Sequence, residues 1–212
     1  MKQRDIVWKE IQFDQNIDLL LQQIKECYGK VYCLYRMHEE AASMCRSRSQ
    51  LIKSLEFSLL ILLCMYIYFF IDINGGVLLG VLIAIILLIY ILRAREDVLV
   101  VLEQNHLNTA KKLWGLRESY LSLLTDLSMQ KRDMRLIKQL QKKRDRLELS
   151  FDALHSGAPK VPWQAFGKVR EDLNITEELT FTENEIDQLL PPQFKQIKPF
   201  PKINPSFDSQ TH

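Results

Sequence analysis

The chain has 212 residues, of which 47% are hydrophobic and 25% charged, and its 28 basic residues nearly balance 26 acidic ones. These averages resemble one soluble globular domain, but the apolar residues are concentrated in two blocks between Arg48 and Arg93. Only seven glycines and seven prolines argue against a turn-rich all-β fold, and a net charge of +2 gives no general attraction to nucleic acid.

The N-terminal region carries an apolar stripe with a seven-residue repeat. Such spacing places the apolar side chains on one face of a long helix. We therefore expect residues 1–53 to form an N-terminal cytoplasmic helical region. The stripe consists of two series, offset by three residues: Ile17, Ile24, Val31, His38 and Cys45, and then Leu20, Cys27, Leu34 and Ala41.

Two uncharged blocks follow, at residues 57–71 and 75–92. As a helix the second block would be about 27 Å long, close to the roughly 30 Å hydrocarbon core of a bilayer. Neither block has a polar face for water, so we expect lipid to surround both. The turn-forming sequence Asn74-Gly75-Gly76 joins them, which predicts an antiparallel two-helix transmembrane hairpin over residues 54–92.

The basic residues nearest the hairpin all lie outside it, and none lies in its turn. By the positive-inside rule, this distribution predicts that both termini are cytoplasmic. Three of the four cysteines then face a reducing compartment, so we expect no disulfide. The basic residues are Arg46, Arg48, Lys53, Arg93 and Arg95.

Small residues recur every four positions along the second membrane helix, at Gly76, Gly80 and Ala84. This spacing allows two backbones to approach closely and predicts a helix-association face. The alternative is that the face serves only the packing of the hairpin itself. No charged residue crosses the apolar blocks, which argues against a transporter or a proton relay.

The seven-residue repeat returns after the hairpin. Because the hairpin brings both stripes out of the bilayer side by side, we expect them to pair as an antiparallel coiled-coil-like stalk, in which residues 93–155 form the second stalk helix or helices. The chain is thus expected to be an all-α membrane protein. The repeat changes phase, so the helix either continues to about Leu154 or breaks near residues 128–133. The second stripe contains His106, Leu113, Tyr120, Leu127 and Met134, with Leu102, Leu116, Leu123 and Ile137.

Catalytic and metal-binding patterns are absent from the sequence. No nucleophile motif, phosphate-binding loop or metal-ligand spacing occurs, so we predict a protein that is not an enzyme and has no cofactor, catalytic residue or metal site. His38 and His106 both fall on the stripes, where a pH-sensing or metal-binding role is conceivable. Their spacing favours packing within the stalk.

A basic face is predicted over residues 131–146, which hold eight basic and two acidic residues. It could remain solvated or meet anionic lipid, nucleic acid or an acidic protein surface. Residues 171–187 hold seven acidic residues and no basic one, so we hypothesise a clamp between the two segments, within one chain or between subunits. The basic residues are Lys131, Arg132, Arg135, Lys138, Lys142, Lys143, Arg144 and Arg146.

The C-terminal region begins where glycine and proline residues end the stalk, near Gly157 and Pro162. Thr182 and Glu185 have the spacing of a capping box for a short helix ending at Leu190, which is too short to be stable without docking. We expect an acidic segment with this helix over residues 156–192 and a flexible tail over 193–212.

The chain resembles the SLATT family, the SMODS and SLOG-associating two-transmembrane effectors of bacterial conflict systems. The resemblance covers roughly residues 15–155, and residues 182–191 are similar to the tail of the family 5 subgroup. The matching segments are Tyr35-Arg36-Met37-His38, Arg46-Ser47-Arg48, Tyr90-Ile91-Leu92-Arg93-Ala94 and Asn105-His106-Leu107-Asn108.

The resemblance implies a multi-pass effector of the bacterial inner membrane that acts in anti-phage defence. A nucleotide-signalling, sensor or reverse-transcriptase partner would release or activate it, and copies of the chain would then oligomerise and permeabilise the bilayer, with the stalk stripes setting the number of subunits. The alternative is a non-pore membrane anchor whose stalk recruits a cytosolic partner. Direct nucleic-acid binding is not expected in either case.

Overall fold

The computed structural model describes residues 2–70, 75–129, 134–173 and 181–195. The described residues are almost entirely helical, which confirms the predicted all-α fold. In chain order the helices are α1 Lys2–Phe70, α2 Gly75–Met129, α3 Met134–Ser156, α4 Trp163–Leu173, α5 Glu183–Leu189 and α6 Pro192–Lys195.

The chain divides into two compact units. Of the described residues, unit 1 contains 2–34, 112–129, 134–156, 170–173 and 181–195, and unit 2 contains 35–70, 75–111 and 157–169. The helices α1 and α2 each contribute a segment to both units.

In unit 2, α1 and α2 pair as antiparallel helices. The Nη2 atom of Arg46 lies 2.8 Å from Oε1 of Glu103, and Nζ of Lys53 lies 3.1 Å from Oε1 of Glu96. Numbering rises along α1 as it falls along α2, which fits the predicted hairpin and stalk. Residues 71–74, where most of the predicted turn falls, lie outside the described residues.

The helix α4 was not foreseen from the sequence, which indicated only an acidic segment here. Its first turn is fixed by the carbonyl of Pro162, which accepts hydrogen bonds from the backbone N–H groups of Ala165 and Phe166 at 3.0 and 3.2 Å. Ala165 and Val169 are buried one turn apart in unit 2. A single pair of small apolar residues gives too short a repeat to reveal the helix.

In unit 1, the two predicted stripes form the core. Leu20 and Ile24 of α1 and Leu113 and Leu123 of α2 are almost completely buried, as the repeat predicts. Of the first stripe, Cys27 is the one member that is only half-buried. Ile137 and Leu140 add a buried face from α3.

The helix after the membrane breaks rather than continuing to residue 154. Nζ of Lys143 in α3 lies 3.0 Å from Oδ2 of Asp126 in α2. In one continuous helix these residues would be about 25 Å apart along the axis, so the chain must reverse between them. Residues 130–133 lie outside the described residues, but α3 folds back on unit 1 as a third core helix.

The short helix α5 docks on α1 in unit 1. Its capping box is present: the backbone N–H of Thr182 donates to Oε2 of Glu185 at 2.7 Å, and the N–H of Glu185 donates to Oγ1 of Thr182 at 3.4 Å. The glycine at position 29 gives space to Phe181, whose ring would lie 3.4 Å from an added Cβ. This contact explains a glycine in the middle of a helix, where it costs about 1 kcal/mol relative to alanine.

The predicted flexible tail from residue 193 begins too early. Residues 193–195 belong to α6, and Phe194 is buried. Pro192 occupies the first helical position, where its missing N–H costs nothing. Residues 196–212 lie outside the described residues.

Truncation of Leu123 should destabilise unit 1. Leu123→Ala removes a side chain that is 0% exposed, and we expect the free energy of unfolding to fall by about 2–4 kcal/mol. Leu149→Ala is the matched control, because Leu149 is 70% exposed and its truncation should change stability by less than about 0.5 kcal/mol. Denaturant titration of the purified chain in detergent measures both; equal losses would contradict this account of the core.

Candidate functional site

The surface of the hairpin is the largest apolar feature of the described structure. Of 23 large hydrophobic side chains that are exposed, 18 lie between Leu51 and Val101. Among the described side chains, α1 provides one helix that is long and apolar enough to cross a membrane, and none of its most apolar 18-residue stretch is buried. Soluble monomers rarely expose contiguous apolar surface of this extent, which favours a membrane location for this part of the chain.

The predicted association face is open. Gly76, Gly80 and Ala84 are all exposed on α2. Apart from the helix's own backbone, no atom of the described residues lies within 4 Å of the position that a Cβ would take at Gly76 or Gly80. Packing between the described parts of α1 and α2 therefore leaves this face available.

Two histidines face each other inside unit 2. Nδ1 of His38 on α1 lies 2.8 Å from Nδ1 of His106 on α2, and the residues are 1% and 0% exposed. At this distance one ring must donate its proton and the other accept it. Their place on the stripes therefore reflects packing and a cross-helix hydrogen bond.

The buried position of His106 favours its neutral imidazole. Burial lowers the pKa of His106 below its ordinary value of 6.5, and Nε2 of His106 has no hydrogen-bond partner among the described residues. A further proton on the accepting nitrogen would turn it into a donor and break the hydrogen bond between the two rings. The described residues contain no group of three or more potential metal ligands.

A cluster in unit 1 centres on Arg117 of α2. Its guanidinium carbon lies 4.4 Å from the ring centroid of Trp114, 5.5 Å from that of Tyr32 and 5.7 Å from that of Tyr28. Nε of Arg117 donates to the hydroxyl of Tyr28, which donates in turn to the carbonyl of Leu189 in α5, both at 3.2 Å. The sequence did not predict this cluster because its members come from distant segments. Within each segment the one-turn spacing is visible, between Tyr28 and Tyr32 and between Trp114 and Arg117.

The basic face separates into two groups in the structure. Arg135, Lys138, Lys142 and Arg146 are exposed and lie on one side of α3, opposite the buried Ile137 and Leu140. By contrast, Lys143 pairs with Asp126, and Nη1 of Arg144 donates to Gln23 at 2.6 Å. Lys131 and Arg132 lie outside the described residues.

The acidic segment makes contacts of its own. Nζ of Lys25 on α1 lies 3.1 Å from Oδ1 of Asp187, and Glu185 is held in the capping box. Glu171 and Asp172 belong to α4, so this part of the segment is helical. These contacts tie the segment to α1; a clamp with the basic face stays a hypothesis.

The cysteines outside the hairpin are protonated thiols at neutral pH. Burial raises the pKa of Cys33 to about 12, and burial is also the main cause of the raised pKa values of Cys27 and Cys45. A protonated thiol is a poor nucleophile. All four cysteines are free.

Comparison with known proteins gives one family match. The model of the family described as SMODS and SLOG-associating 2TM effector domain family 4 matches residues 20–185. The match extends from the α1 segment of unit 1 through the hairpin to α5. No curated protein and no solved structure matches the chain significantly.

Acidification should destabilise the protein through the histidine pair. Because the pKa of His106 is lowered in the folded state, the unfolded chain binds more protons as pH falls below about 6.5, and stability declines by up to about 1.4 kcal/mol per pH unit. The declining interval extends from 6.5 down to the lowered pKa. Thermal unfolding in detergent between pH 5 and 8 measures the slope.

Two variants separate this effect from other titrations. His38→Leu leaves His106 buried without its partner and should cost about 1–3 kcal/mol. The double variant His38→Leu/His106→Leu replaces both groups with apolar side chains, so it should recover much of that loss and have a flatter pH profile. An unchanged slope in the double variant would show that other groups cause it.

Proposed function

The chain belongs to the SLATT family of two-transmembrane effector domains, and from this membership we propose that it is a membrane effector of a bacterial anti-phage system. In this proposal its copies oligomerise and permeabilise the inner membrane. The family was predicted from the sequence; the subgroup that matches is family 4 rather than family 5. In this proposal the chain catalyses no chemical reaction.

The observation that carries the proposal is the uncharged, exposed surface of the hairpin. A single pair of apolar helices satisfies its own backbone and offers no polar path for ions. Leakage therefore requires several hairpins to assemble around a conduit or to disorder the lipid between them. A hairpin with an open small-residue face is suited to such assembly.

We assign the contact between copies to Gly76, Gly80 and Ala84. In support, the space above Gly76 and Gly80 is unoccupied, so hairpin packing does not use it. The stalk stripes are a poorer candidate for setting subunit number, because Leu113 and Tyr120 are already buried within one chain. Small faces at four-residue spacing permit close helix crossing in lipid.

A partner protein supplies the activating signal in this proposal. The family description associates these domains with SMODS and SLOG, which supports a nucleotide-signalling or sensor partner. Both termini lie in the cytoplasm, where such a partner can reach them. The basic residues that flank the hairpin support this orientation.

The second candidate function is a membrane anchor that recruits a cytosolic partner without making a pore. The exposed basic group on α3 favours it, because an acidic protein surface could bind there. The two functions differ in one measurement. Expression with the activating partner depolarises the membrane if the chain permeabilises it, but only relocates the partner if the chain is an anchor.

Filling the small-residue face should abolish permeabilisation. Gly80→Leu adds a side chain where two helices must approach, so we expect leakage of a membrane-potential dye to fall to background while the protein still fractionates with membranes. Gly115→Leu is the matched control, since Gly115 also lies on α2 with nothing within 4 Å but outside the hairpin. Normal leakage from Gly80→Leu would remove this face from the assembly.

Charge reversal on α3 should weaken a partner contact. We expect Lys138→Glu/Lys142→Glu to reduce partner binding or the oligomeric state in a salt-dependent manner. Lys111→Glu/Lys112→Glu is the control, because these lysines are also exposed but lie on α2. Light scattering and pull-down at low and high salt provide the measurement, and equal behaviour of the two variants would exclude a specific basic surface.

A further inference from the structure

A cleft of about 430 Å³ lies between α1 and α2 in unit 2, where the hairpin leaves the bilayer. We propose that this cleft binds an anionic phospholipid, with the phosphate held by two arginines and the glycerol and ester groups against the apolar wall. The inference rests on the membrane location of the hairpin and is independent of pore formation. The cleft is lined by Arg48, Leu51, Ile52, Arg95, Val98 and Leu99.

The ion pairs around the cleft leave its two arginines available. Arg46 is paired with Glu103, and Lys53 with Glu96. Arg48 and Arg95, which line the cleft, are exposed and have no acidic partner among the described residues. Of the five cations that flank the hairpin, Arg46 and Lys53 are neutralised by ion pairs. Arg48 and Arg95 line the cleft, whereas Arg93 is exposed but does not line it.

Two guanidinium groups suit a phosphate diester. Arginine presents a planar fork of N–H donors that matches phosphate oxygens, and it is more weakly hydrated than lysine. Basic pockets between membrane helices on the cytoplasmic side are a recurrent way to bind acidic lipid headgroups. A zwitterionic headgroup would bring an ammonium group near the same arginines and would bind less well.

The apolar wall distinguishes a lipid from a free phosphate. Leu51 is 65% exposed and Val98 is 64% exposed, although both lie beyond the uncharged core of the hairpin. A soluble anion leaves these side chains in water, whereas the glycerol and ester groups of a phospholipid whose phosphate lies between the two arginines cover them. The residues that line the cleft therefore fit an amphiphilic molecule with a negatively charged headgroup.

The depth of the cleft agrees with a headgroup site. Taking Leu92 as the last residue in hydrocarbon, Arg95 lies about 4.5 Å beyond it along the helix. The headgroup layer on each side of a bilayer is roughly 5–7 Å thick. Arg95 therefore lies within that layer. The ion pairs Arg46–Glu103 and Lys53–Glu96 place Phe57 level with Leu92, so Arg48 lies about 13.5 Å beyond the hydrocarbon and its long side chain extends toward the headgroups.

Lipid binding by the full-length chain in neutral detergent tests the proposal. Purified protein is titrated with phosphatidylglycerol or with phosphatidylcholine of the same acyl chains, and native mass spectrometry counts the bound lipids. We expect phosphatidylglycerol to bind preferentially and to raise the thermal midpoint. Arg48→Gln/Arg95→Gln should weaken its binding about tenfold or more, since each basic contact contributes separately.

The control variant removes the same charge from the neighbouring ion pairs. Arg46→Gln/Lys53→Gln should keep the preference for phosphatidylglycerol, because those cations already have acidic partners. Equal loss in both variants would overturn the proposal by showing general electrostatic attraction. Circular dichroism of each variant without lipid establishes that it folds, and Arg48→Lys/Arg95→Lys, which keeps charge but loses the fork, should bind at an intermediate level.

The last control of the experiment uses a soluble headgroup without acyl chains. Glycerol phosphate has the same anionic group without acyl chains, and we expect no protection from it at concentrations where phosphatidylglycerol is saturating. Equal protection by glycerol phosphate would overturn the lipid assignment in favour of a free phosphate site. Because binding is measured in detergent without leakage, failure here is distinguishable from failure of the proposed effector function.

Discussion

The antiparallel pairing of α1 with α2 is the constraint on which the other contacts depend. It is set by two uncharged blocks separated only by residues 72–74, because a chain that enters and leaves lipid across so short a link must return beside itself. Within unit 2 this return aligns Arg46 with Glu103 and His38 with His106. Within unit 1 the same antiparallel direction brings Arg117 against Tyr28.

The long helices could be predicted because their information is periodic and extended. A repeat that continues for four or five heptads specifies both the helix and its buried face, and Leu20, Ile24 and Leu113 are buried as the repeat requires. The hairpin could be predicted from composition, since a helix of 18 uncharged residues is long enough to span a bilayer and has no polar face for water. The family, too, was recognisable from this layout of stripe, hairpin and stripe, and its model matches residues 20–185.

The remaining features depend on contacts between segments far apart in sequence. The reversal before α3 stayed open at the sequence level because only a contact in the fold, between Lys143 and Asp126, reveals it. The helix α4 was missed because a single buried pair, Ala165 and Val169, supports it. The division of the basic residues was equally hidden: only the fold shows that Lys143 and Arg144 make contacts within unit 1, whereas Lys138 and Lys142 face outward. Charge composition identified the region but could not assign roles within it.

Tyr28 has a consequence for the C-terminal part of the chain. Its hydroxyl has one proton, and the carbonyl of Leu189 receives it; the guanidinium of Arg117 supplies the other bond. One oxygen atom thus joins α1, α2 and α5, with the direction of each bond fixed. A shift of α2 along α1 would move the guanidinium of Arg117 away from the Tyr28 hydroxyl and weaken the hydrogen bond from that hydroxyl to α5. The docking of α5 therefore depends on the register between α1 and α2.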